Sequence, residues 1–229
     1  MPWRWTLPCQ CLVCHAWPSS QVLCFDCVMR FAQPHFRCTG CGLALPGISI
    51  ERPRCGICLR RPPPWHRAVA AVDYSYPWNQ LITRWKFGQQ PALAKHLAQW
   101  MLRDEEVGCA VAQADVVIPI PLSSQRLRAR GYNPAAQLAR YLAFEKYQPY
   151  VLHRVRHTLA QSDLSRAQRL RNVRGVFEVN AVHRAQLQGK KVLLVDDVMT
   201  TGATLKEASR CLLQVGAARV EVLCLARTP

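Results

Sequence analysis

Two adjacent carboxylates, Asp196 and Asp197, follow a run of core-type residues in VLLVDDVMTTGAT, residues 192–204. In an open α/β sheet, ligands bind where strands end at their carboxyl edge, so charges placed there face a ligand rather than the core. The residues that follow are hydroxyl-rich and turn on a glycine. Gly202 lets the backbone approach a ligand closely, while exposed amides and the dipole of the following helix favour an anion. Thr200, Thr201, Gly202, Ala203 and Thr204 therefore read as a phosphate cup. Two carboxylates beside it would repel phosphate, so they must serve another part of the ligand. Vicinal ribose hydroxyls, or a divalent metal bound to them, meet that requirement. Turn and cap roles for Asp197 and Thr204 alone would leave the rest of the string without a reason. Neither G-x-x-x-x-G-K-[ST] nor G-x-G-x-x-G is present, so the commoner nucleotide loops do not compete.

A second chemistry sits at the other end of the chain. Nine of the twelve cysteines fall in the first 58 residues, and eight of them form Cys-x-x-Cys pairs. The pairs are Cys11 with Cys14, Cys24 with Cys27, Cys38 with Cys41, and Cys55 with Cys58. Two residues between thiolates let both sulfurs face one ion from a tight turn, and two such turns complete a tetrahedron. The expectation is two structural zinc ions with every ligand position filled. Sequential pairing, 11/14/24/27 and 38/41/55/58, is the simplest arrangement; the spacing leaves crossed pairing open. Disulfides are the rival, a poor one for a chain whose N-terminus lacks the apolar core of a secretion signal. Cys9 is left over, and Cys109, Cys211 and Cys224 fall in apolar periodic segments as core residues.

The formal net charge is +16. Two tetrathiolate zinc sites at −2 each would lower it only to about +12. The partners should be anionic, whether nucleic acid, phosphorylated small molecules or both. The charge is clustered: from Pro119 to Gly175 eleven Lys and Arg face only Glu145 and Asp163. Within it Arg126, Arg128 and Arg130 line a connection longer than such joins need, and guanidinium groups bind pyrophosphate or a DNA backbone bidentately. A second arginine-rich stretch runs from 156 to 175. Tryptophans near the domain junction (Trp65, Trp78, Trp85) could stack bases of single-stranded DNA, although Trp78 and Trp85 are spaced like core residues.

Positioning these groups takes two folding units. LRRPPPWHR, residues 59–67, is a stiff connector, giving a double zinc-ribbon domain over 1–64 and a second domain over 65–229. The second alternates strands (RAVAAVDYSY, ADVVIPIP, YVLHRV, KKVLLV, RVEVLCLA) with amphipathic helices. That pattern predicts an α/β fold, a mainly parallel sheet flanked by helices. Asn133-Pro134 caps one helix, and Gly216 stops the one carrying Leu205, Ala208 and Leu212. No segment approaches the ~20 apolar residues of a membrane span, and the chain reads as cytoplasmic.

VLLVDDVMTTGAT closely resembles the signature by which type I phosphoribosyltransferases bind phosphoribosyl pyrophosphate (PRPP). The resemblance implies that Asp196 and Asp197 hold the ribose, that residues 200–204 hold the 5′-phosphate, and that Mg²⁺ accompanies PRPP. The P-I-P strand with R-x-R-G-Y-N, the Q-x7-R-x2-N-V stretch and the four cysteine pairs extend the likeness to the ComF/GntX (competence protein F) family along nearly the whole chain. By that likeness 126–130 meet pyrophosphate, 156–175 form a mobile flap, and Arg169 is the catalytic candidate. Thr200 stands where purine enzymes of this fold often carry an acid for the base, so no acceptor base is visible. No C-terminal hood follows RVEVLCLA, making the zinc module a candidate lid. The family implies DNA uptake or utilisation, with DNA-uptake machinery among the partners. A non-catalytic single-stranded DNA-binding module and a PRPP sensor remain the alternatives.

Overall fold

The computed structural model describes residues 8–47, 53–155 and 175–229. Four strands form one sheet in the order β1-β6-β5-β2: β1 (Arg67–Asp73), β2 (Val116–Pro119), β5 (Lys191–Met199) and β6 (Arg219–Arg227). Every neighbouring pair is parallel. Central β6 is buried along both faces, the mark of a parallel sheet covered on each side. Strand alternation splits the core in two. Leu193, Val195, Leu223 and Leu225 face one layer, whereas Val192, Leu194, Val220 and Val222 face the other.

The first layer holds α3 (Trp78–Phe87), α4 (Leu93–Met101), α5 (Glu105–Gln113) and α7 (Pro134–Leu142). Their apolar faces put Trp78, Trp85 and Leu138 against the sheet. The second layer is α8 (Ala203–Gln214), joined by the arm of β3 (Leu152–Arg154) and β4 (Phe177–Val179). YVLHRV thus contributes to an antiparallel pair outside the parallel sheet. Residues 156–174, between those strands, lie outside the described residues and take Arg169 with them.

Ahead of β1 the cysteine segment carries α1 (Phe25–Phe31) and α2 (Gly56–Arg60). It is not a bead on a stiff connector. Thr39 O accepts from Ala68 N at 2.8 Å, so the module's backbone bonds the outer edge of β1. Leu23 joins the core layer of α3, while Trp65 and Cys41 pack in the layer of α8. The module therefore straddles the edge of the sheet.

Trp65, Trp78 and Trp85 are all buried, which removes them as a stacking platform for bases. Cys224 is a core residue as expected, Cys211 is half-buried, and Cys109 is exposed on the outer side of α5. Among the described residues no helix is long and apolar enough to cross a membrane.

Candidate functional site

The site arises from a mismatch in strand length. β2 stops at Pro119, which pairs with Val195, while β5 continues to Met199. Asp196 and Asp197 thus lie within β5, just beyond the end of its shorter neighbour. A cavity of about 720 Å³ opens there, a volume that suits a nucleotide-sized ligand. Asp196, Asp197, Thr200 and Thr204 line one side of it.

The acid pair is electrostatically loaded. Asp197 Oδ1 pairs with Lys86 Nζ at 2.6 Å, and Asp197 N donates to Asp196 Oδ1 at 2.9 Å. The Asp196 carboxyl is pushed up to about 7, first by burial and then by the neighbouring Asp197; Lys86 and Arg154 pull the other way. Lys86 reaches the site because α3 is pinned along its length. Trp78 Nε1 donates to Phe31 O at 2.7 Å, Trp85 Nε1 to Gln137 Oε1 at 2.9 Å, and Tyr132 Oη to Trp85 O.

The loop after the acids turns as its residue types require. Gly202 has φ +69° and stands at the N-cap of α8, where it has no side chain to offer the first turn. Thr201 Oγ1 accepts from Ala203 N at 3.4 Å, and Ala203 is buried at the helix start. An added Cβ on Gly202 would meet the ring of Trp65 at 3.2 Å.

The arginine connection is helical rather than a loop. α6 (Ser124–Arg130) is capped by Ser123 Oγ, which accepts from Arg126 N, and is closed by left-handed Gly131. Helical spacing puts Arg126 and Arg130 on one face, and both line the cavity. Arg128 points away and is exposed. Arg154, at the end of β3, joins them. Burial and the charge of Arg126 lower its pKa to about 10, with Asp196 opposing the drop, so it keeps its charge at neutral pH. Two guanidinium groups held against each other beside a carboxylate suit a polyanion.

Sequence reasoning missed Lys86, Arg154 and the cavity's aromatic rim. Phe87 is exposed beneath Arg130, whose guanidinium lies 4.8 Å from the ring centroid, and Tyr74 lines the wall nearby. No described residue before Tyr74 lines the cavity. His153 is exposed and does not line it.

The cysteines settle into two sequential tetrads, 11/14/24/27 and 38/41/55/58, with the four sulfurs of each within 4.8 Å of one another. Nearest Sγ pairs stand 3.6–3.8 Å apart, too far for disulfides. A tetrahedron with ~2.3 Å zinc–sulfur bonds has edges of about 3.8 Å, so the sulfurs fit that ion. Cys24 N and Cys55 N donate to Cys11 Sγ and Cys38 Sγ at 3.4 and 3.1 Å, which suits thiolates.

A parallel sheet with paired acids and a glycine-turned loop at its carboxyl edge defines a phosphoribosyltransferase-type domain, and residues 87–229 match the phosphoribosyl transferase domain family. The likeness extends beyond that domain. The chain is 34% identical to the DNA utilization protein YhgH of Salmonella typhimurium over 97% of its own length and 99% of that protein, a span that takes in the cysteine segment. It is 34% identical to competence protein F of Haemophilus influenzae over 82% of this chain and 84% of that one. To competence protein ComFC of Bacillus subtilis it is 37% identical over 49% and 45%. The chain belongs to the ComF family, built on a phosphoribosyltransferase fold.

Proposed function

We propose that this protein serves DNA utilisation by binding PRPP with Mg²⁺ at the carboxyl edge of β5. Asp196 and Asp197 take the ribose hydroxyls or their metal, and residues 200–204 take the 5′-phosphate. Arg126, Arg130 and Arg154 take the pyrophosphate, and Arg169 is the catalytic candidate by the family resemblance. The observation that carries the reading is the convergence of an acid pair, a glycine-capped helix start and three arginines on one cavity. A lone charge pair or a lone loop would have many uses; this combination matches a sugar bearing phosphate at both ends. If the phosphoribosyl group is transferred, positive charge grows at the anomeric carbon, and the arginines steady the leaving pyrophosphate.

A PRPP-sensing role is favoured by one observation. Among the described lining residues no carboxylate or imidazole besides Asp196 and Asp197 is available to deprotonate an acceptor. Binding to single-stranded DNA rests on net charge and on outward residues such as Arg128, since the tryptophans are buried. The deciding experiment is calorimetric titration of zinc-loaded protein with PRPP and Mg²⁺, beside Asp196→Asn/Asp197→Asn. Micromolar-range binding lost in the double variant supports the site. A folded wild type that binds nothing removes the enzyme and sensor readings together.

A further inference from the structure

We infer that Trp65 is a positioning residue that locks the 200–204 loop onto the second cysteine tetrad, so that metal held by Cys38, Cys41, Cys55 and Cys58 sets the shape of the phosphate loop. The inference rests on the reading of that loop as a phosphate site.

The indole bonds one partner and backs the other. Its Nε1 donates to Gly40 O at 2.7 Å in a buried bond, and Gly40 lies between ligands Cys38 and Cys41. Gly40 itself is wedged in the tetrad: an added Cβ would stand 2.8 Å from Cys58 Sγ and 3.6 Å from Cys38 Sγ. At the other end of the ring, Cη2 lies 3.2 Å from where a Cβ of Gly202 would stand. The left-handed turn of the loop is thus backed by a rigid plate whose far edge is fixed inside a metal knuckle.

Two further ties run the same way. Arg227 Nε donates to Cys41 O at 2.9 Å while its Nη1 reaches Met199 O at 3.3 Å, at the start of the loop. Arg37 Nη1 donates to Gly42 O at 3.0 Å and pairs with Asp73 at 2.7 Å, fixing the knuckle to the end of β1. The first tetrad is tied elsewhere. Its segment meets α3 through Trp78 and Phe31, and Arg103 through Gln21. The two metal sites therefore differ in consequence: the second is coupled to the loop and the first is not. A loop held in its binding shape before the ligand arrives loses less freedom on binding, which is how a residue remote from phosphate raises affinity for it.

The test uses the full zinc-loaded chain as wild type, Trp65→Phe, Cys55→Ser and Cys24→Ser, with zinc content measured for each. Amide exchange is read at Lys206, bonded to Gly202 O, and at Thr228, bonded to Met199 O. Ribose 5-phosphate is titrated while following the indole N–H resonance of Trp65, assigned from its loss in Trp65→Phe. Trp65→Phe should keep both zinc ions, speed exchange at both amides about ten-fold and weaken ribose 5-phosphate to a similar degree. Cys55→Ser should do the same or more, and Cys24→Ser should leave both amides within two-fold of wild type. Unchanged protection in Trp65→Phe, or equal loosening by Cys24→Ser, overturns the coupling. If the amides respond as expected but ribose 5-phosphate neither binds wild type nor shifts the Trp65 resonance, the coupling stands and the phosphate reading falls.

Discussion

Lys86 Nζ lies 2.6 Å from Asp197 Oδ1, an ion pair 111 residues apart in sequence whose side chains are 16% and 13% exposed. It neutralises one of two adjacent acids from the helix that covers them. Removing the lysine leaves both carboxylates with less compensation in a poorly solvated place. Lys86→Met should therefore lose about 2 kcal/mol of stability at pH 8 by calorimetry. It should also bind Mn²⁺ more tightly in a paramagnetic titration, because a competing cation has gone. Unchanged metal affinity would mean that the pair does not compete with a cation at Asp197.

Asp196 gives a pH dependence whose sign is fixed. Its folded pKa of about 7 stands above the unfolded value near 3.9, so folding favours the protonated carboxyl. Stability contributed by this group therefore falls as pH rises between about 4 and 7. In magnesium-free buffer Asp196→Asn should gain on wild type as pH increases, by about 4 °C in Tm at pH 8, with the gain vanishing toward pH 4. PRPP binding should be lost in this variant at every pH. A constant Tm difference from pH 4 to pH 8 would contradict the environment described.

The arginines of α6 should separate by face. Arg126→Ala and Arg130→Ala are each expected to weaken PRPP by ten-fold or more, the range for a lost charge-assisted bond of about 1.5–3 kcal/mol. Arg128→Ala should change it less than two-fold. If single-stranded DNA binds the outer surface, Arg128→Ala is the substitution that lowers its salt slope, by up to about 1. An Arg128 effect on PRPP as large as that of Arg126 would place the anion outside the cavity.

Mercurial release of thiolate-bound metal should liberate two zinc ions per chain. Chelation should lower the unfolding midpoint by on the order of 10 °C, because the module has little apolar core and metal supplies its folding energy. One ion, or a midpoint insensitive to chelator, would show that a tetrad is not a metal site.

The parts of this protein that carry chemistry within a short string were legible from residue types alone. Asp196 through Thr204 is contiguous, so strand, acids, turn and helix start could be placed from periodicity and one glycine. The tetrads were legible because thiol spacing mirrors coordination geometry. Lys86 and Arg154 were not, since only tertiary packing brings α3 and β3 to the end of β5. The helical state of 124–130 left a readable sign that went unused: Ser123 three residues before Arg126, and Gly131 as a stop. Trp65 was legible as an aromatic at the domain junction, where base stacking was its expected use; the structure buries it. Its role depends on two glycines, Gly40 and Gly202, that have nothing in common until the chain folds.

Strand order also dictates a timetable. Among the described strands β1 pairs only with β6, and Arg67 and Glu221 stand 154 residues apart. During synthesis at about 5–20 residues per second, β1 waits on the order of 10–30 s for its partner. β5 and β6, the middle of the sheet, emerge last. Both tetrads precede residue 59 and are complete before β1 appears. A nascent chain loaded with zinc thus already holds Thr39, the group that bonds Ala68, and can shield one side of an orphan strand that would otherwise be open to pairing with another chain.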